Sequence, residues 1–163
     1  MKNYQTEIKW ALIFVGMMLL WMFLEKLAGL HSIHIDKHPI YTNFVFIPAI
    51  AVYVFAMRDK KKNFYNGTMT YKQGFIFGIS VTLIITLLNP LTQSIISLLI
   101  SPEYFPNVID YAVRTGKMTQ ADAENYFNLK SYIIQGTVGS FIIGTITSAI
   151  VAFFVKSKTP SNS

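Results

Sequence analysis

Three imidazoles and a carboxylate fall within eight residues, in the run His31-Ser32-Ile33-His34-Ile35-Asp36-Lys37-His38. Imidazole nitrogen and carboxylate oxygen are ordinary ligands of a zinc-like cation. The i, i+3 spacing would bring His31 and His34 to one metal if the segment were helical, with His38 or Asp36 closing the site. Lys37 and the approach to Pro39 suit an irregular connector instead, and no recognised zinc spacing is present. The expectation is a run of hydrated loop histidines with no resident metal and no cofactor. Glu25 is the other ionisable residue of interest. It ends an apolar run, where a carboxylate costs much less than the roughly 2.5–3.5 kcal/mol it would cost at the centre of a membrane helix. It reads as a boundary charge hydrated at the outer surface, with a proton-linked or ion-binding role as the sharper alternative. Lys26 is its neighbour in sequence and lies on a different helix face.

A second constellation is polar and uncharged. Gly78, Thr82, Thr86, Asn89, Gln93 and Ser97 recur at helical spacing and draw one stripe along a helix, which must face protein or water. Pro90 lies within that stripe and deprives the carbonyl of Thr86 of its helical partner, so a kink is expected near the middle. Gly136, Ser140, Gly144 and Ser148 form a small-xxx-small series that lets two helices approach closely, and Gly74 with Gly78 is a similar pair. The simplest reading is that the two stripes hold these helices together. A functional alternative has Asn89, Gln93 and the Pro90 kink lining a path for a small solute, with Pro48 as a matching interruption in another helix. Four helices enclose little volume, so that alternative calls for an oligomer. A dimerisation face on the Gly136–Ser148 stripe is the third reading.

The elements that must position these residues are membrane helices. The composition is 52% hydrophobic and 13% charged, against about 25% charged in an ordinary soluble protein. Charge-free stretches cover residues 10–24, 41–57, 75–101 and 131–155. About 20 apolar residues cross a bilayer, which predicts an all-α, polytopic, single membrane domain with spans at about 8–27, 41–57, 75–101 and 131–155. A cleaved leader is disfavoured, because no Ala-x-Ala-like site follows the first run. The 102–130 loop should fold as a short helical hairpin. Its first helix begins near Pro106 and ends before Gly116; its second starts at Thr119, with Asp122 three residues on, and could continue into the fourth span. Val108, Ile109, Ala112 and Val113 would rest on the bilayer or on a partner.

Charge orients the bundle. Both termini and the 58–74 loop carry nine basic residues, whereas the opposite face carries five. Basic loops stay cytoplasmic, so both termini are expected inside. Arg58, Lys60, Lys61 and Lys62, followed by Phe64, Tyr65 and Tyr71, suit anionic lipid headgroups at the cytoplasmic surface. A short loop with four charges is a poor nucleic-acid site. With no cysteine, a disulfide scaffold is excluded. No Gly-x-Ser-x-Gly elbow, His-Glu-x-x-His pair, P-loop or pair of intramembrane carboxylates is present, so no enzyme activity and no catalytic residue is expected.

The segments 25–31 (Glu-Lys-Leu-Ala-Gly-Leu-His), 66–74 (Asn-Gly-Thr-Met-Thr-Tyr-Lys-Gln-Gly) and 115–127, opening Thr-Gly-Lys-Met-Thr, are informative together. They resemble a family of small four-helix integral membrane proteins of unknown function, found mainly in bacteria of the Bacteroidetes group. The likeness covers nearly the whole chain and implies a bacterial inner-membrane location with no assigned activity. Two functions from different classes then compete. One is a structural or accessory protein that packs its helices and contacts a membrane-protein partner; the other is an oligomeric permeation unit for a small solute or ion around the third helix.

Overall fold

The computed structural model describes residues 4–157. Lys2 and Lys158, which count toward the basic face, lie outside the described residues. Every regular element among those described is helical. The first is α1 (Gln5–Leu27); then α2 (His38–Tyr41), a 3-10 turn (Thr42–Val45) and α3 (Phe46–Asn63) form one rod. Next come α4 (Tyr71–Ile95) with a π-type turn (Ile96–Ile100), α5 (Tyr104–Arg114), α6 (Gln120–Tyr126) and α7 (Leu129–Val155). Four stretches, Gln5–Leu27, His38–Asn63, Tyr71–Ile100 and Leu129–Val155, are long and apolar enough to cross a membrane. The protein is an all-α membrane protein of four spans with a helical hairpin between the last two. Leu87, Leu99 and Phe154 are at least three-quarters exposed, as lipid-facing residues must be.

The two small-residue stripes meet. Residue by residue, four steps along α4 are matched by four steps back along α7, which fixes an antiparallel register. A Cβ on Gly78 would stand 2.6 Å from the Ser148 side chain, and one on Gly144 would stand 2.6 Å from Thr82. Further along, Thr86 and Ser140 share a 3.2 Å hydrogen bond, and the Asn89 amide donates to Thr137 Oγ1 and the Ile133 carbonyl at 3.1 Å each. Close approach and interhelical hydrogen bonds, each worth roughly 0.6 kcal/mol in a membrane, thus build one continuous seam. The α-helix runs through Pro90, and the irregularity comes later. Ser101 N–H bonds the Ile96 carbonyl at 2.8 Å, closing the π-type turn. That π-type turn lies one to two turns beyond Pro90, at the C-terminal end of the span, where it carries Ser101 inward.

The structure also details the second span and corrects one expectation in the hairpin. The helix of the second span runs past residue 57 to Asn63, and Lys60 is turned into the bundle. It pairs with Glu7 at 2.9 Å and sits 4.0 Å from the Phe64 ring, leaving Arg58 and Lys62 exposed. In the hairpin, α5 and α6 fall where expected, and Thr119 accepts from Asp122 N–H. However, α6 does not run into the last span. Asn128 leaves the helix and caps α7, accepting from Ser131 N–H at 2.9 Å. Asparagine outcompetes helical continuation here because its side chain supplies the acceptor that a new helix start requires.

Candidate functional site

The end of α1 is shaped to return the chain on itself. Gly29 has φ +75, its N–H bonds the Lys26 carbonyl, and Leu30 N–H bonds the Glu25 carbonyl at 3.0 Å. This is the paired closure of a Schellman motif, which needs a residue free to adopt the left-handed region. A Cβ at Gly29 would also strike Ile33 at 2.8 Å. The turn brings His31 back over Glu25. Pro39, preset for a helix start, opens α2 beside His38, and the rod of α2 and α3 presents the second imidazole from another direction.

Three groups converge there. The Glu25 side chain is 3% exposed and His31 is 1% exposed. Glu25 Oε2 lies 3.3 Å from His31 Nε2 and 3.3 Å from His38 Nε2. The atoms turned away from this centre have other partners. Trp21 Nε1–H donates to Glu25 Oε1 at 2.5 Å, while His31 Nδ1 and Ser101 Oγ share a 2.9 Å hydrogen bond. The Asn107 amide holds the His31 carbonyl at 2.9 Å, fixing the loop to α5. His38 Nε2 is buried and lacks a hydrogen bond of acceptable geometry despite its closeness to Glu25. The Tyr104 ring covers both imidazoles with centroids 5.1 and 5.2 Å away, and its hydroxyl meets that of Tyr132 at 3.2 Å.

Lys26 does not neutralise this carboxylate. Its ammonium donates to the Ile100 carbonyl at 2.6 Å and reaches Glu103 at 3.4 Å. Outside the spans, Glu103 is held below the usual carboxylate range, first by a hydrogen bond to its own backbone amide and further by Lys26. Burial pushes the Tyr104 hydroxyl upward, so this ring faces the cluster as neutral phenol.

His31 and His38 line a cavity of about 400 Å³ among α1, α3, α4 and α7. Phe14, Met18, Ile50 and Ile143 contribute apolar wall, while Asn89, Gln93, Ser97 and Ser101 bring the α4 stripe to the same space. Its lining reaches Tyr53 and Gly144, and below them Met57, Thr82 and Ser148 are completely buried. Tyr53 and Thr82 hydroxyls bond at 2.8 Å across that floor. The cavity is therefore blind toward the end of the bundle that holds both termini.

The sequence stripe thus divides in two. Gly78, Thr82 and Thr86 pack with Ser148, Gly144 and Ser140 in the helix seam. Asn89, Gln93 and Ser97 reach the cavity, with Gly136 opposite Asn89, and Pro90 is exposed on the far side. Among the histidines, His31 and His38 join Glu25, whereas His34 and Asp36 are exposed. The pairing that the i, i+3 spacing would allow in a helix is not made, because the segment after Gly29 is a chain of turns, and His31, expected as a hydrated loop residue, is buried. Glu25 is buried beneath that connector and is not a hydrated boundary charge. Two contributors were within reach of sequence reasoning: Trp21 stands one helical turn before Glu25, and Ser101 extends the α4 stripe by another four residues. Tyr104 and Tyr132 arrive through tertiary packing and carry no local signal.

Residues 9–157 match the model of the family described as Protein of unknown function (DUF4199), and the chain belongs to that family. No curated protein and no solved structure matches it.

Proposed function

We propose that this membrane protein binds a small amphipathic molecule from the outer leaflet, seating an apolar body among α1, α3, α4 and α7 with a hydrogen-bonding head at the His31–His38–Ser101 end. The observation that carries this reading is the blind cavity, with apolar walls and its strongest polar groups gathered at one end. Ligand pockets commonly combine these features. Gln93 adds an amide that has no protein partner among the described residues. The sealed floor at Tyr53 and Thr82 argues against an open channel, and a single chain already encloses the space, so no oligomer is needed to form it. The reading involves no catalytic step. Its setting is the bacterial cytoplasmic membrane, of the Bacteroidetes type that the family resemblance implies. Both termini are inside, and Arg58 and Lys62 lie against anionic headgroups, as the basic asymmetry favours.

Photolabelling tests the site. In phosphatidylethanolamine–phosphatidylglycerol vesicles, a diazirine-bearing long-chain alcohol should mark Met18 and Ile143 inside the cavity and Leu87 outside it. Gly139 lines the cavity and has open space where a Cβ would stand. Gly139→Phe should therefore abolish internal labelling and leave Leu87 labelled. Equal labelling of parent and variant would return the protein to the accessory reading. For orientation, a reporter active only outside the cytoplasm and fused after Ser163 should be silent.

A further inference from the structure

We infer that Glu25, His31 and His38 form a binding site for a divalent transition-metal cation of the zinc class. One carboxylate oxygen and two imidazole nitrogens lie within 4.8 Å of one another, and two of the three separations are 3.3 Å. Ligand atoms about 2.0–2.1 Å from a tetrahedral ion stand about 3.3 Å apart. Two edges of the polyhedron are therefore already at length. The third is no longer than 4.8 Å and closes by a shift of at most about 1.5 Å, which His38 can supply because its side chain is 15% exposed, against 1% for His31.

The surrounding hydrogen bonds have the polarity that a metal requires. A ligating imidazole presents one nitrogen to the ion and donates its other N–H to a fixed acceptor. Ser101 Oγ stands at His31 Nδ1 in that role. Because a hydroxyl both donates and accepts, Ser101 can serve His31 with or without the cation by reversing the direction of one hydrogen bond. Trp21 fixes the second oxygen of Glu25 in the same way. The buried His38 Nε2, left without a satisfactory partner, then acquires one in the ion. A cation also neutralises a carboxylate that Lys26 does not reach, and a water or the polar head of a molecule in the cavity would complete the fourth position. Three protein ligands and one exchangeable site is the pattern of an open zinc centre. The inference stands whether or not the cavity takes an amphipathic ligand.

Zinc chloride titrated calorimetrically into the detergent-purified, chelator-stripped full chain should give one ion per chain, and cobalt(II) should give the intense visible absorption of a tetrahedral site. His38→Ala and Glu25→Gln should each weaken zinc binding more than 10-fold, and Ser101→Ala about 10- to 100-fold; His34→Ala should leave it unchanged. On the unaltered protein, zinc should protect His31 and His38, but not His34, from diethyl pyrocarbonate, a readout that does not depend on any variant folding. Absence of stoichiometric binding, unchanged affinity in His38→Ala, loss in His34→Ala, or protection of His34 instead would each overturn the site. Neither measurement uses the lipid probe, so failure here leaves the photolabelling result intact.

Discussion

The helix α1 buries one carboxylate near each of its ends, and the two meet different partners. Glu7, 5% exposed, meets the ammonium of Lys60 at 2.9 Å, with the Phe64 ring beneath the cation. Glu25, 3% exposed, meets two imidazoles and no lysine or arginine among the described residues. An ammonium offers only N–H donors, whereas an imidazole nitrogen can donate a hydrogen bond, accept one, or give its lone pair to a metal. The packing follows the same division. Around the first carboxylate the seam is shut by Gly78, Met57 and Ser148; toward the second it opens into the cavity. One end is built to hold a fixed charge and the other to exchange a cation.

The largest expected effect lies at the closed end. Lys60→Met leaves Glu7 buried without its cation and should cost about 3–5 kcal/mol, because an unpaired buried charge loses its attraction while keeping its desolvation penalty. Unfolding in mixed detergent micelles would measure it. Adding Glu7→Leu should restore most of the loss, since replacing both partners with apolar groups removes the penalty as well. A cost below about 1 kcal/mol, typical of an exposed pair, would erase the contrast between the two ends.

At the open end, Glu25→Gln should cost about 1.5–3 kcal/mol, the worth of hydrogen bonds to a charged group. The smaller figure has a structural reason: the amide oxygen still accepts from Trp21, and the amide leaves no buried charge of its own. Excess zinc sharpens the test. At 100 times its dissociation constant a bound ion adds about 2.7 kcal/mol, so zinc should raise the stability of the parent and leave Glu25→Gln unmoved. If zinc shifts both equally, the second carboxylate is no more an exchange site than the first.

Between the ends, the seam should respond to a methyl group according to where it falls. Gly144→Ala drives a Cβ to 2.6 Å from Thr82 and should cost about 1–3 kcal/mol through overpacking. Gly139→Ala, only five residues away on the same helix, meets nothing within 4 Å and should change stability little. Equal costs would mean that the half of the seam beside the cavity is as tightly closed as the other half.

How much of this was legible in the sequence depends on the range of each interaction. The spans, the two stripes and the hairpin starts rest on periodicity and local capping, and Thr82 against Gly144 is the contact those stripes imply. The buried Glu7–Lys60 pair was not legible, because the residues are 53 apart and Lys60 sits inside a basic run that reads as a solvated face. The site was half legible. Glu25 and the histidines announced themselves by type, but their grouping depends on the Gly29 turn and on tertiary docking of α2. Helical spacing would have joined His34 to His31, whereas the turn at Gly29 joins Glu25 to it instead.

The smallest expected effect decides that last point. His34→Ala should change stability by no more than about 0.5 kcal/mol, the usual range for an exposed residue, and should leave the zinc-induced stabilisation of the parent intact. Its ring lies over Gly29, where a substituent Cβ would come within 3.4 Å of it, so its contact is with the turn and not with the cluster. Because His31 is held by Ser101 and by Asn107 on its own carbonyl, removing the neighbouring imidazole leaves the cluster's supports in place. A loss of zinc response in His34→Ala would mean that the connector rearranges into a helical turn when a cation binds, and that the open end gathers its ligands by local spacing after all.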